Sequence, residues 1–146
     1  MIIGGGGHAK VLISVIRKLK IFRIVGYTDL IPRGEILGVK YLGDDSILKK
    51  VKQGDIANCA ALGIGKTEKQ NCRKKILSNL KKLKFEIPPI ISPDATVNED
   101  VLIGNATVVF DGVVVNSGSQ IGEAAILNTN STVEHDCSIG NYSHIA

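Results

Sequence analysis

The stretch "ISPDATVNEDVLIGNATVVFDGVVVNSGSQIGEAAILNTNSTVEHDCSIGNYSHIA", residues 91–146, decides the fold. From Ile91 onward every sixth residue is aliphatic: Ile91, Val97, Ile103, Val109, Val115, Ile121, Leu127, Val133, Ile139 and Ile145. Four positions after each comes a small or β-branched residue: Ala95, Val101, Thr107, Val113, Ser119, Ala125, Ser131, Cys137 and Ser143. A helix repeats every 3.6 residues and a strand every 2, and neither makes this series. A period of six is the signature of a parallel β-helix. Three hexads make one triangular coil, and successive coils stack about 4.8 Å apart. The large aliphatic fills a narrow interior and the small residue fits beside it. Glycines 104, 112, 118, 122 and 140 are expected at the corners, where φ can turn positive.

The remaining residues differ sharply in charge. Residues 1–90 carry 18 basic and 7 acidic residues, a balance of +11; residues 91–146 carry 7 acids and no Lys or Arg, a balance of −7, and the two sum to +4. The switch falls at "FEIPPIISP", residues 85–93, where Pro88, Pro89 and Pro93 interrupt regular structure. Two domains are expected, 1–87 and 88–146. With no Trp, three Phe and three Tyr, the core must be aliphatic. No apolar run approaches the ~20 residues of a membrane span, and "MIIGGGGHAK" lacks the charged region of a signal peptide. Cys59, Cys72 and Cys137 have no paired spacing and read as reduced thiols of a cytoplasmic protein.

"MIIGGGGHAKVLISVIRKLK" reads as a very short strand, a glycine turn and an amphipathic helix with Val11, Leu12, Val15, Ile16 and Leu19 on its apolar stripe. Gly4, Gly6 and Ala9 fit the GxGxxG/A turn, whose bare N–H groups at a helix N-terminus attract phosphate. A second strand, "IFRIVGYTD", ends in Asp29, where a ribose-binding acid is expected. A third, "CAALGIG", ends in Gly63 and Gly65, and a helix over residues 66–83 follows. The pattern predicts a small parallel sheet with ligands at the carboxyl ends of its strands. A NAD site is the competing reading of the turn, but about 90 residues is short for a full dinucleotide fold. The eight basic residues between Lys66 and Lys84 are read as a solvated helix face. No aromatic residue is interleaved to stack nucleic-acid bases.

Phase places His135. Val133 and Cys137 are inward positions, so His135 and Asp136 lie between them at a corner and project outward. A surface or subunit-interface histidine and a catalytic base are the two readings of such a residue. Acyl transfer to an amine or hydroxyl needs a base of near-neutral pKa, and a nearby carboxylate raises an imidazole's basicity. Asp136 need not touch His135 itself; its partner could be a histidine across an interface. Cys137 points inward and is not proposed as a nucleophile. His8, His135 and His144 form no closed metal-ligand set with the cysteines, so no metal is expected.

"IGNATV", "IGEAAI" and "IGNYSH" resemble the hexapeptide repeats of left-handed β-helix acyltransferases. The left-handed turn is what the resemblance implies, since crossovers are otherwise right-handed. The whole chain resembles the sugar acetyltransferases of the sialic acid O-acetyltransferase NeuD and PglD type: "GGGGHAKV", "YTDL", "LGIGKTEKQ" and "ILNTNSTVEHDCSIGNYSHIA" fit in order as well as in motif. The implied fold is an α/β Rossmann-like domain followed by an all-β left-handed parallel β-helix. The implied reaction moves an acetyl group from acetyl-CoA to an amine or hydroxyl of a nucleotide-activated amino sugar or sialic acid. On this resemblance His135 is the general base, Asp136 its acidic neighbour, and His144 lines the acetyl-CoA site. Gly6, Gly7 and His8 match the turn that meets the nucleotide-linked sugar. Thr28 and Asp29 match the end of the second strand, and Gly65 the glycine after the third. Relatives can carry two acids at the second-strand position, so Thr28 is a departure. The family forms trimers, with acceptor and acetyl-CoA meeting between neighbouring β-helices. Relatives continue for several more coils, so a shortened chain is expected here.

The glycine loop favours a UDP-amino-sugar over free sialic acid. The competing functions are a non-catalytic, trimerising nucleotide-sugar-binding fragment and, on GxGxxA and Asp29 alone, a NAD-dependent oxidoreductase.

Overall fold

The computed structural model describes residues 1–65 and 72–146. The first part is a four-stranded parallel sheet in the order β3-β2-β1-β4, from Ile2–Ile3 (β1), Tyr27–Thr28 (β2), Tyr41–Gly43 (β3) and Ala61–Leu62 (β4). Side chains alternate across a strand, and β1 uses this to hold both layers. Ile2 packs with Leu12, Ile13 and Ile16 of α1 (Gly7–Leu19) on one side. Ile3 packs with Leu48 and Val51 of α2 (Leu48–Gln53) and Leu77 and Leu80 of α3 (Cys72–Lys82) on the other. The helical stripe differs from expectation by one position: Ile13 is fully buried and Val11 is 43% exposed. The second strand is far shorter than "IFRIVGYTD". β3 and α2 were not signalled by the sequence pattern. The expected helix start at Lys66 lies outside the described residues.

From Ile90 the chain forms ten two-residue strands: Ile90–Ile91 (β5), Thr96–Val97 (β6), Leu102–Ile103 (β7), Val108–Val109 (β8), Val114–Val115 (β9), Gln120–Ile121 (β10), Ile126–Leu127 (β11), Thr132–Val133 (β12), Ser138–Ile139 (β13) and His144–Ile145 (β14). They build the three faces of a left-handed parallel β-helix, in the orders β14-β11-β8-β5, β12-β9-β6 and β13-β10-β7. Register is strict: Leu127 stands opposite Val109 and Ile145, and Val115 opposite Val97 and Val133. The second residue of each strand points inward, and Val109, Val115 and Leu127 are fully buried. Each such side chain contributes roughly 1.5–3 kcal/mol by leaving water.

The corners follow a second period of six. Asp100, Ala106, Gly112, Gly118, Ala124, Asn130, Asp136 and Tyr142 all have φ between 53° and 74°. Six of these are not glycine, although left-handed backbone costs other residues about 1–2 kcal/mol each. An inter-coil hydrogen bond offsets that strain. The N–H of Ala124 donates to Asn105 O at 2.8 Å, that of Asp136 to Ser117 O at 3.1 Å, and that of Tyr142 to Glu123 O at 2.8 Å. The expectation for glycine therefore holds at 112 and 118 only. Gly104, Gly122 and Gly140 do not have positive φ. At 104 and 122 glycine permits close approach: a Cβ on Gly104 would lie 2.7 Å from the Gly122 carbonyl carbon, and one on Gly122 2.6 Å from Asn141 N.

The α/β part lies against the β14-β11-β8-β5 face and the two corners beside it. Ile90, Val108 and Ile126 join the α1 core, while Ala106 and Ala124 join the α3 core. The opposed charges meet at the rim: Lys18 bridges Asp94 (2.7 Å) and Asp111 (2.6 Å), and Lys81 pairs with Glu123 at 2.5 Å. Both lysines are partly solvated, so water screens these pairs and they contribute little. Arg73, expected on a solvated face, is instead buried. It donates through Nη2 to Ala124 O at 3.0 Å and through Nη1 to Ile64 O.

Gly122→Ala should cost about 1–3 kcal/mol, because the new methyl meets the Asn141 and Gly140 backbone as well as the Asn141 side chain. Gly140→Ala, whose Cβ would meet only Ser143 Oγ at 3.8 Å, should stay within about 0.5 kcal/mol of the parent. Urea unfolding of the 146-residue chain distinguishes them.

Candidate functional site

The first site is a cleft of about 680 Å³ at the carboxyl ends of β1, β2 and β4. The four loop glycines divide by task. A Cβ on Gly4, whose φ is +101°, would strike Ile64, and one on Gly5 would strike the Tyr27 ring; these two close the turn. A Cβ on Gly6 or Gly7 would meet nothing within 4 Å, so their backbone faces the cleft openly. Gly6 caps α1 without a side-chain bond, and the first turn holds no acid. The free N–H groups and the positive end of the helix dipole therefore favour an anion.

Asp29 accepts the Gly5 N–H at 2.8 Å, the Ile31 N–H at 3.2 Å and Arg33 Nε at 3.3 Å. Partial burial pushes its carboxyl up. The bonds from Ile31, Gly5 and Arg33 outweigh this and hold it below the usual carboxylate range. The acid expected for a ribose thus also clamps the glycine loop. Thr28 is fully buried and donates to Asp45 Oδ1 at 2.7 Å. Thr28 thereby holds an acid, Asp45, that lines the same cleft. Arg33, Asp45 and Lys75 are cleft residues the sequence reading missed. Asp45 had a weak signal, since Asp44 caps the turn that carries it by accepting Ser46 N–H at 2.9 Å. Arg33 and Lys75 had none.

His8 closes the cleft toward the β-helix. Its ring meets Phe110 edge-on at 5.2 Å, a Cβ added to Gly65 would lie 3.4 Å from the His8 Cβ, and the His8 Nε2 is buried. Burial, then the Arg73 charge, then His144 lower its pKa to about 4. His144 stands in register with Ile126 on the domain-facing ladder. The structure therefore brings His144 to His8, not to His135.

The second site is the corner between β12 and β13. His135 Nδ1 lies 2.8 Å from Asp136 Oδ2, and both side chains are more than 70% exposed. The neighbouring residues do touch. The hydrogen bond that His135 donates to Asp136, the Asp136 charge and that of Glu134 raise the His135 pKa. A carboxylate on Nδ1 fixes the tautomer and leaves the Nε2 lone pair outward. This corner is the one that the α/β part does not cover. Beside it, a groove of about 520 Å³ runs over β7, β10 and β13, floored by Gly104, Gly122 and Gly140. Among the described residues no cluster of three or more His, Cys, Asp or Glu could hold a metal, and no helix is long and apolar enough to cross a membrane.

An α/β domain with an open glycine turn, joined to a hexapeptide β-helix with an exposed His–Asp pair, defines the class of two-part hexapeptide-repeat proteins. Residues 1–80 match the PglD N-terminal domain, and the chain belongs to that family. It is similar to the histidine-to-alanine mutant of GDP-perosamine N-acetyl transferase from Caulobacter crescentus in complex with CoA and GDP-perosamine (34% identity, TM-score 0.91, covering 98% of this chain and 66% of that one). It is also similar to the acetyltransferase domain of PglB from Neisseria gonorrhoeae FA1090 in complex with acetyl coenzyme A (29% identity, TM-score 0.85, 98% and 67%). WeeI from Acinetobacter baumannii AYE, at 20% identity and TM-score 0.83, shares the fold. The chain spans 66% of the length of the Caulobacter protein.

In an NMR titration His8 should stay neutral down to about pH 4 and His135 should titrate above 6.5. Between 6.5 and 4 the unfolded chain binds a proton at His8 that the folded chain refuses, so stability falls as pH drops through this window. Urea unfolding at pH 7 and pH 5 should show that loss, and His8→Asn should reduce it.

Proposed function

We propose that the chain is the nucleotide-sugar-binding and base-bearing part of an acetyl-CoA-dependent sugar acetyltransferase. Residues 1–87 hold the nucleotide sugar and residues 88–146 promote transfer. The observation that carries this reading is the His135–Asp136 pair, exposed at a β-helix corner with Nδ1 already committed to the carboxylate. The similar proteins with CoA and GDP-perosamine, or acetyl coenzyme A, bound support it.

In this reading Gly6, Gly7 and His8 receive the phosphate end of the nucleotide sugar, Gly65 borders it, and Asp29, with Thr28 and Asp45 behind it, frames the nucleoside. His135 Nε2 removes a proton from the sugar amine or hydroxyl as that group adds to the thioester carbonyl. Asp136 stabilises the imidazolium that results. The proton then passes from His135 to the departing thiolate, and no covalent enzyme intermediate forms. The bare glycine floor beside this corner suits the extended arm of acetyl-CoA, and His144, which stands beside His8, lines the acetyl-CoA site from a neighbouring copy.

The cleft and His135 stand on opposite sides of one chain, because the α/β part covers one face while His135 occupies the far corner. A complete site therefore needs a second copy, and the resemblance to the trimeric sugar acetyltransferases implies a homotrimer. The unpaired Cys59, Cys72 and Cys137 support a reducing, cytoplasmic setting.

Incubation with acetyl-CoA and a panel of GDP- and UDP-4-amino-sugars and sialic acids, read by mass spectrometry, should yield an acetylated nucleotide amino sugar. His135→Asn should lower kcat by about 10²–10⁴-fold. The profile of kcat/KM should rise with pH through a midpoint above 6.5, and Asp136→Asn should move it down. A nucleotide sugar bound by a trimer, without product, would leave a binding fragment only. Mixed trimers of His135→Asn with a cleft-defective variant such as Gly6→Val should regain activity that neither has alone, measurable in the same assay.

A further inference from the structure

We propose that Gly118 is a positioning residue for His135: having no side chain, it leaves the space in which the Asp136 carboxylate lies against the imidazole. The proposal rests on the reading of His135 as the general base.

The coil beneath His135 holds the corner at three residues, Asn116, Ser117 and Ser119. Asn116 Nδ2 donates to Glu134 Oε2 at 2.9 Å, and Asn98 Nδ2 donates in turn to Asn116 Oδ1 at 2.9 Å. Ser117 O accepts the Asp136 N–H at 3.1 Å. The buried Ser119 hydroxyl donates to Glu134 O at 2.7 Å and accepts the Cys137 N–H at 3.1 Å. Between them stands Gly118. A Cβ there would lie 2.5 Å from Asp136 Oδ1, closer than nonbonded atoms approach. The other oxygen, Oδ2, is the one on His135 Nδ1. One carboxylate thus spans the bare Gly118 backbone and the imidazole. Any side chain at 118 displaces it.

Positive φ alone does not explain this glycine. Asn130 and Ala124 occupy equivalent corners with φ of 60° and 53°. The charged groups that face His135 are Asp136 and Glu134. Glu134 is tied down to Asn116, so Asp136 alone responds to the space at 118.

Gly112 supplies the control. It has φ +70°, and a Cβ on it would strike Asn130 Oδ1, the same clash at another corner. Gly118→Ala and Gly112→Ala should lose similar stability in urea. Only Gly118→Ala should return the His135 titration toward the ordinary histidine value of 6.5, approaching the curve of Asp136→Asn. Its kcat should fall by roughly tenfold with KM little changed. Gly118→Asn, which suits left-handed backbone, gives the same reading should the alanine variant not fold. A His135 titration unchanged in the Gly118 variants, or shifted equally by Gly112→Ala, overturns the proposal. That titration is read on the histidine itself, so it stands whether or not His135→Asn abolishes turnover.

Discussion

The structure depends on backbone hydrogen bonds from left-handed corner residues such as Ala124, Asp136 and Tyr142 to the coil below. A two-residue strand cannot hold itself, and an alanine or aspartate at φ near +60° is locally unfavourable. Stacking resolves both. The bond to Asn105, Ser117 or Glu123 turns the chain after every hexad, and the turn sets the next two residues in register on the next face. The aliphatic interior then forms because the repeat returns each large residue to the same side. The face that receives α1 and the corner that displays His135 are consequences of that one rotation.

The two domains are complementary in charge, yet salt bridges at a solvated rim contribute little. Apolar contact between α1, α3 and the β-helix does more. Arg73 is the exception among the charged contacts, since it is buried with carbonyls as partners. Its charge reaches His8 and helps to keep that ring neutral. The domain junction and the cleft are therefore one electrostatic unit, and His144 belongs to it.

Much of this was legible in the sequence because it is periodic. Ten aliphatic residues at a spacing of six specify a triangular coil, and the same count puts His135 at an outward corner. The glycine loop and Asp29 were legible because their spacing is a motif. Thr28 was not, since its meaning depends on Asp45, seventeen residues away. Arg73 sat in a basic run and gave no sign that it would turn inward. The glycines at 104 and 122 were placed in the right region for the wrong reason. Composition marks a tight spot without telling torsion from proximity.

The repeat also fixes the compass bearing of every residue it carries. Position around the prism is counted modulo eighteen. Losing one hexad below His135 would swing the imidazole by a third of a turn, from the open corner to one occupied by the α/β part. Losing three would lower it by one coil, about 4.8 Å, and leave its direction intact. Descendants of this chain can thus change the height of the histidine in whole coils, while its bearing tolerates no intermediate step.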